Sequence, residues 1–236
     1  MKFLNLLSGL LLISASVLAS TCQPGTLQDY INLGAGGCQT GAVTFGGFAS
    51  ASGQSIATSI PLTQVLINPG GTVYMPSLQF VLNQSASTGQ VYESFFRFKV
   101  SNSTLVGARL NLNSSSATGN GGVSAGVDIC RGGSFAGNDP SGACTNPIDP
   151  LSTVATADFS MLFDSKSFAP TKLLDLFADL VADGGFGNGT ARFNSATVSI
   201  DAIPEPSVHQ LMLGGFGVLG LVHMLRNRSG VKNESV

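Results

Sequence analysis

Between residues 91 and 100 the chain alternates in polarity, with Phe96, Phe98 and Val100 on one side and Arg97 and Lys99 on the other. A repeat of two is that of an extended strand, whose successive side chains point to opposite faces, and it does not fit the 3.6-residue repeat of a helix. Residues 105–112 alternate in the same way through Val106, Ala108, Leu110 and Leu112, after a polar Ser101-Asn102-Ser103-Thr104 stretch. The two runs predict a β-hairpin with its turn at 101–104. Further strands are expected at 72–82, 123–130, 154–163 and 191–200, each bounded by Gly, Asn, Ser or Pro.

The segment Leu173-Leu174-Asp175-Leu176-Phe177-Ala178-Asp179-Leu180-Val181-Ala182-Asp183 reads two ways. Asp175, Asp179 and Asp183 lie four apart, as on one helical face, whereas Leu174, Leu176, Ala178 and Leu180 suit a strand. The glycine-rich 184–189 stretch that follows favours a strand, paired as a hairpin with 190–201. The expected fold class is therefore all-β, an antiparallel β-sandwich of jelly-roll-like type.

Composition narrows the partners. Charged residues make up 10% of the 236-residue chain, against the ~25% of an average soluble protein. The surface must then be covered largely by Ser, Thr, Asn and Gly. Residues 20–203 carry seven basic side chains against eleven acidic ones, with no basic cluster, which argues against nucleic acid as a partner. The four cysteines fall into two local pairs, Cys22 with Cys38 and Cys130 with Cys144. Four cysteines allow three connectivities, and the local one is preferred because each pair brackets a loop rich in Gly, Asn and Pro. A zinc site would need tighter Cys-x-x-Cys spacing or a nearby histidine.

The two ends carry different information. Lys2, an apolar stretch over 3–18 and the small-residue pattern Val17-Leu18-Ala19 predict a signal peptide over 1–19, with Sec translocation and signal-peptidase cleavage after Ala19. Thr21 before Cys22 is a poor lipoprotein box. At the other end Pro204, Glu205 and Pro206 precede an uncharged run that begins at Leu211 and ends at Leu225, followed by Arg226 and Arg228. As a helix this run would reach ~22 Å, short of a ~30 Å hydrocarbon core unless its flanks contribute. The basic residues after it set the C-terminus on the cytoplasmic side.

The order Pro-Glu-Pro, short apolar span and basic end resembles the PEP-CTERM sorting signal of Gram-negative bacteria. The resemblance covers about a tenth of the chain, carried by residues 203–207, the 211–225 span and Arg226-Asn227-Arg228. It implies that Pro204, Glu205 and Pro206 are recognised by an exosortase, a membrane enzyme that cuts near the triplet. It also implies a division into a signal peptide (1–19), a secreted β-domain (20–203), a sorting signal (204–228) and a cytoplasmic tail (229–236). Location at the cell surface or in the extracellular matrix follows, through an inner-membrane intermediate. A glycine turn and last strand before the triplet are similar to those of other such substrates, and the stretch 26–33 with Gly37-Cys38 and 45–48 resembles secreted bacterial proteins of this type.

Reaction chemistry is sparsely signalled. His209 and His223 are the two histidines and both lie in the tail, which excludes Ser-His-Asp and Cys-His catalysis within the β-domain. No Gly-x-x-x-x-Gly-Lys or His-Glu-x-x-His motif is present, and no cofactor is implied. Paired carboxylates for glycoside cleavage remain open among the eleven acids. Asn138, Asp139, Asn146 and Asp149 offer oxygen atoms around the second cysteine loop, in the manner of a calcium site, although such residues also serve turns. The expectation is a non-enzymatic matrix protein with a structural or interaction role toward extracellular polysaccharide. The alternatives are a lectin-like glycan-binding module and a cryptic polysaccharide hydrolase or lyase. Tryptophan is absent, which leaves Tyr30, Tyr74, Tyr92 and phenylalanines for stacking on a sugar.

Overall fold

A computed structural model describes residues 20–51, 57–137 and 142–203. The signal-peptide residues, Asn138 and Asp139, and everything from Pro204 onward, including Glu205, Pro206, Leu211, Leu225, Arg226 and Arg228, lie outside the described residues. Among those described, no helix is long and apolar enough to cross a membrane.

The described residues form one sheet of fourteen strands, nearly all paired antiparallel. In order these are β1 (Ser20–Thr21), β2 (Gly25–Thr26), β3 (Cys38–Thr40), β4 (Val43–Ser50), β5 (Thr58–Ser59), β6 (Leu66–Gly71) and β7 (Pro76–Ser87). There follow β8 (Val91–Asn113), β9 (Ser116–Thr118), β10 (Gly122–Arg131), β11 (Pro147–Thr156), β12 (Ser160–Met161), β13 (Phe163–Asp183) and β14 (Thr190–Ile203). Two short pairings, β1 with β3 and β5 with β8, are parallel.

Two of these strands are unusually long, and they organise the rest. β8 pairs with β13 along nearly its whole length. On its other edge the first half of β8 pairs with β4, and the second half with β14. One layer thus contains β11, β10, the second half of β13, the first half of β8 and β4. The other contains the first half of β13, the second half of β8, β14, β7 and β6. The layers face each other: Phe80 of β7 lies 4.8 Å from Phe96 and 5.8 Å from Phe98 of β8, ring centre to ring centre. Strands that pass from one layer to the other through bulges are a known way to turn such a corner.

The hairpin expected at 91–112 is therefore a single strand. Asn102 does adopt a left-handed φ of 73°, but the chain runs on past it, and its side-chain amide donates to Thr44 Oγ1 at 2.7 Å. The register of β13 shifts on either side of Thr171, opposite this point. Pro170, which cannot donate to a ladder, is accommodated in that irregular stretch. Burial follows the bulge. Phe96, Phe98 and Val100 are buried, then Ser103 and Leu105, then Ala108, Leu110 and Leu112, so the core-facing parity changes twice within one strand.

The 173–183 segment is strand, as expected, but its partner is different. β8 lies between β13 and β14 in the sheet, so the 184–189 connection spans two strand positions instead of closing a hairpin. The other boundaries move as well. Residues 72–75 form the turn between β6 and β7, closed by Thr72 and Met75 backbone hydrogen bonds of 3.0 and 3.3 Å. The strand expected at 154–163 is instead β11, a Thr156–Phe159 turn, β12 and the start of β13. The expected 123–130 and 191–200 strands are β10 and β14.

Among the described residues one α-helix, α1 (Leu27–Asn32), interrupts the sheet. Thr26 caps it: its hydroxyl accepts from Asp29 N at 3.1 Å while Asp29 Oδ2 accepts from Thr26 N at 2.8 Å, a reciprocal pair that satisfies two otherwise free donors. Leu27 and Tyr30 are its buried residues. The Tyr30 ring meets Phe48 edge-on at 5.1 Å and its hydroxyl donates to the Gln23 carbonyl at 2.9 Å. The Cys22–Cys38 disulfide ties this region to β3, with 4.8 Å between Cα atoms. Each buried phenylalanine of the core contributes ~2–3 kcal/mol by leaving water.

Candidate functional site

The outer faces of the two layers differ. On the β14–β7 layer it is a polar lattice. Gln79 donates to Ser195 Oγ at 3.1 Å, Asn113 donates to Thr197 Oγ1 at 2.8 Å, and Arg109 pairs with a partly exposed Asp201 at 3.0 Å. Side chains of this kind satisfy one another and water, and demand nothing more.

The β8–β13–β10 layer is built differently. Register places Asp175 opposite Lys99, Phe177 opposite Arg97 and Asp179 opposite Phe95, with Cys130, Asp128 and Gly126 completing the same rows on β10. Because side chains alternate along a strand, these residues share the face turned away from the core. The Cys130–Cys144 disulfide, 5.7 Å between Cα atoms, ties a loop beside this face. Phe135 from that loop meets Phe177 edge-on at 5.0 Å, and Phe95 stacks on Phe177 at 5.5 Å.

Beneath the loop lies a buried ion pair. Asp175 is wholly buried and the Arg97 side chain is 12% exposed. Arg97 donates through Nε to Asp175 Oδ1 at 2.7 Å and through Nη2 to Oδ2. Its remaining donors reach the Gly137 carbonyl at 2.7 Å and the Phe135 carbonyl at 3.2 Å, and Phe135 N donates to Asp175 Oδ2 at 3.2 Å. The guanidinium also lies 5.5 Å from the centre of the Phe177 ring. The hydrogen bonds it donates to Asp175 raise the Arg97 pKa above its ordinary value. The pair locks the loop to the sheet.

Four residues along β13, Asp179 is held between Glu93 and Asp128. Burial, then the charge of Glu93 and a hydrogen bond with it, and finally the charge of Asp128 push its carboxyl up to about 7. Its Oδ1 is buried without a donor among the described residues. Burial beside two further acidic side chains favours the protonated form of Asp179, because its ionised form loses water and meets like charge. Burial also pushes Asp128 up. Chemically Asp179 is a carboxyl group poised to exchange its proton near neutral pH.

Two cavities open on this face. One, of about 300 Å³, is lined by β4 and β8 residues including Thr44, Gly46, Gly47, Arg97, Lys99 and Ser101. The other, of about 420 Å³, lies between the disulfide loop and β11, and its walls include Asp128, Phe135, Cys144 and Asp149.

The residues singled out from sequence are dispersed. Both local disulfides form, Cys22 with Cys38 and Cys130 with Cys144. Asp149 lines the larger cavity, while the Asn146 carbonyl accepts from Arg131 N at 3.1 Å. Among the described residues no group of three or more His, Cys, Asp or Glu is placed to hold a metal. Tyr30 is buried and Tyr74 is 69% exposed on the distant β6–β7 turn. The Glu93–Asp179–Asp128 group and Lys99 were not picked out from sequence. Their signal was positional, since all fall on the non-core parity of adjacent strands, but strand order was needed to see it.

No family model and no curated protein matches the chain. Among solved structures it is similar to a family 61 carbohydrate-binding module in complex with β-1,4-galactotriose, at 12% identity and a TM-score of 0.23 over 53% of this chain and 67% of that one. It is similar to endoglucanase 3 of family GH12 from Trichoderma harzianum at 11% identity and 0.23, over 57% and 83%. A xylan-binding domain from Paenibacillus barcinonensis gives 10% and 0.20, over 79% and 97%. These scores lie below the range in which two chains share a fold.

Proposed function

We propose that this chain is an exported envelope protein whose β-domain, a jelly-roll-like sandwich, interacts with extracellular polysaccharide through the outer face of the β8–β13–β10 layer. Delivery runs through the Sec translocon and signal peptidase and then through an exosortase acting at Pro204-Glu205-Pro206. Order of the tail motifs supports that route, as do two disulfides, which persist in oxidising compartments.

The observation that carries the binding half is the contrast between the two outer faces. A solvated strand face has no need of a wholly buried aspartate, a loop pinned over it and two cavities beside it. Such features accompany concave sites with a few convergent polar groups. The role is one of attachment, not catalysis, and a lectin-like module is the same face with saturable micromolar affinity.

The test pairs localisation with retention. Glu205→Ala should hold the chain at the inner membrane at its untrimmed mass, and the wild-type exported form should be retained on polysaccharide from the producing cells. Unchanged destination and mass defeat the sorting half; a lack of retention defeats the binding half. A second reading, glycoside hydrolysis, is favoured by one observation, the raised pKa of Asp179 in a buried cluster of acids. Reducing ends released by the wild type and abolished in Asp179→Asn would establish it in place of attachment.

A further inference from the structure

We propose that the cavity at the β4–β8 edge binds the carboxylate of an acidic sugar, so that the polysaccharide recognised is a polyuronate. This inference rests on the polysaccharide-binding reading above and specifies its ligand. The cavity exists because of what β4 lacks. Gly46 stands opposite Lys99 in register and contributes no side chain to the face they share. Gly47 follows with a φ of 59° at the bulge where the β4 register shifts, and a Cβ there would sit 3.6 Å from Lys99 Cδ. The lysine stem thus lies over bare backbone, and Lys99 lines an opening of about 300 Å³, near the lower end for a small-molecule site.

Charge accounting around the cavity leaves one cation over. The Arg97 guanidinium is matched by Asp175, whose two oxygens are both occupied. Lys99 has no ion pair or hydrogen bond among the described residues. Glu93 lies on the same face but six positions away, roughly 20 Å along an extended strand. Hydroxyl groups complete the set. Thr44 Oγ1 accepts from the Asn102 amide at 2.7 Å, which leaves its own O–H to donate, and Ser101 stands beside it on β8. Ala35, Ala49 and Leu173 supply an apolar wall for the C–H face of a ring. One ammonium and two hydroxyls around a ring-sized opening suit a single carboxylate on a pyranose, since hydrogen bonds to ionised acceptors are the strong ones.

Calorimetry on the full chain in detergent decides the matter, with three probes of equal length: an oligogalacturonate, a neutral cello-oligosaccharide and a sulfated oligosaccharide. The expected result is preferential binding of the oligogalacturonate, weakened about tenfold or more by Lys99→Met and less severely by Thr44→Val, with melting temperature unchanged for Lys99→Met. Equal binding of the neutral probe, or an affinity for oligogalacturonate that Lys99→Met leaves intact, overturns the inference while the polysaccharide reading stands. Stronger binding of the sulfated probe also overturns it, in favour of a sulfated glycan. Retention of none of the three probes, nor of polysaccharide from the producing cells, overturns both.

Discussion

Replacing Asp175 by alanine is the sharpest probe of how the candidate face is held together. The carboxylate is wholly buried, and its removal strips Arg97 of its counter-charge and Phe135 N of its acceptor. Breaking one side of a buried pair costs about 3–5 kcal/mol. Arg97 keeps the Phe135 and Gly137 carbonyls and the Phe177 ring, and is 12% exposed. The loss should therefore fall near the lower bound, about 3 kcal/mol. For a chain of this size each kcal/mol lowers Tm by ~2–4 °C, so a fall of about 6–12 °C is expected. Removing both charges is a different perturbation. Arg97→Met/Asp175→Leu fills the space with apolar atoms and leaves no stranded charge, but it still deprives Phe135 N of its acceptor, so it should cost about 1–2 kcal/mol, less than the single variant. Because tryptophan is absent, urea unfolding is best followed by far-ultraviolet circular dichroism. An Asp175→Ala cost under 1 kcal/mol, or a double variant as unstable as the single one, would refute the view that a desolvated ion pair latches the loop.

Three further outcomes are expected. Asp179 has a folded pKa near 7, well above that of an unfolded aspartate, so the folded state binds the extra proton; its contribution is fully present below about pH 4 and disappears as pH rises through 7. Asp179→Asn should flatten that decline in a pH series of unfolding midpoints, and a midpoint that instead rises between pH 4 and 7 in the wild type alone contradicts the raised pKa of Asp179. Cys130→Ser/Cys144→Ser should lose about 3 kcal/mol, the entropy of a closed loop of this size, measured by urea midpoint; no change would mean the loop is held without its covalent tie. Gly184→Ala places a Cβ against the Ser87 backbone carbonyl, so the turn must shift and Tm should fall measurably, whereas an unchanged Tm would show that the two turns are not packed as described.

Strand content was legible because alternation is a local signal, and Phe96, Phe98 and Val100 face the core as their spacing requires. Pairing was not. The Ser101-Asn102-Ser103-Thr104 stretch has the composition of a turn, and Asn102 takes a turn-like φ, yet the interlayer corner it forms depends on β4, β13 and β14 arriving from elsewhere in the chain. The same limit hid the site. Asp175, Asp179 and Asp183 share one face in either a helix or a strand, but their fates differ by neighbour. Asp175 meets Arg97, Asp179 meets Glu93, and Asp183 accepts from Gly185 N at 2.7 Å. Local cysteine pairing was readable from loop composition, because sequence separation alone brings such pairs within reach.

Chemical labelling of amines and carboxyls, read by mass spectrometry with and without polysaccharide from the producing cells, tests the central claim most directly. If the β8–β13–β10 face is the working surface, polysaccharide should shield Lys99, Glu93 and Asp128 while Lys172 and Asp201 react as before. Shielding of Asp201 on the opposite layer with Lys99 and Glu93 left reactive, or no shielding at all, would contradict it.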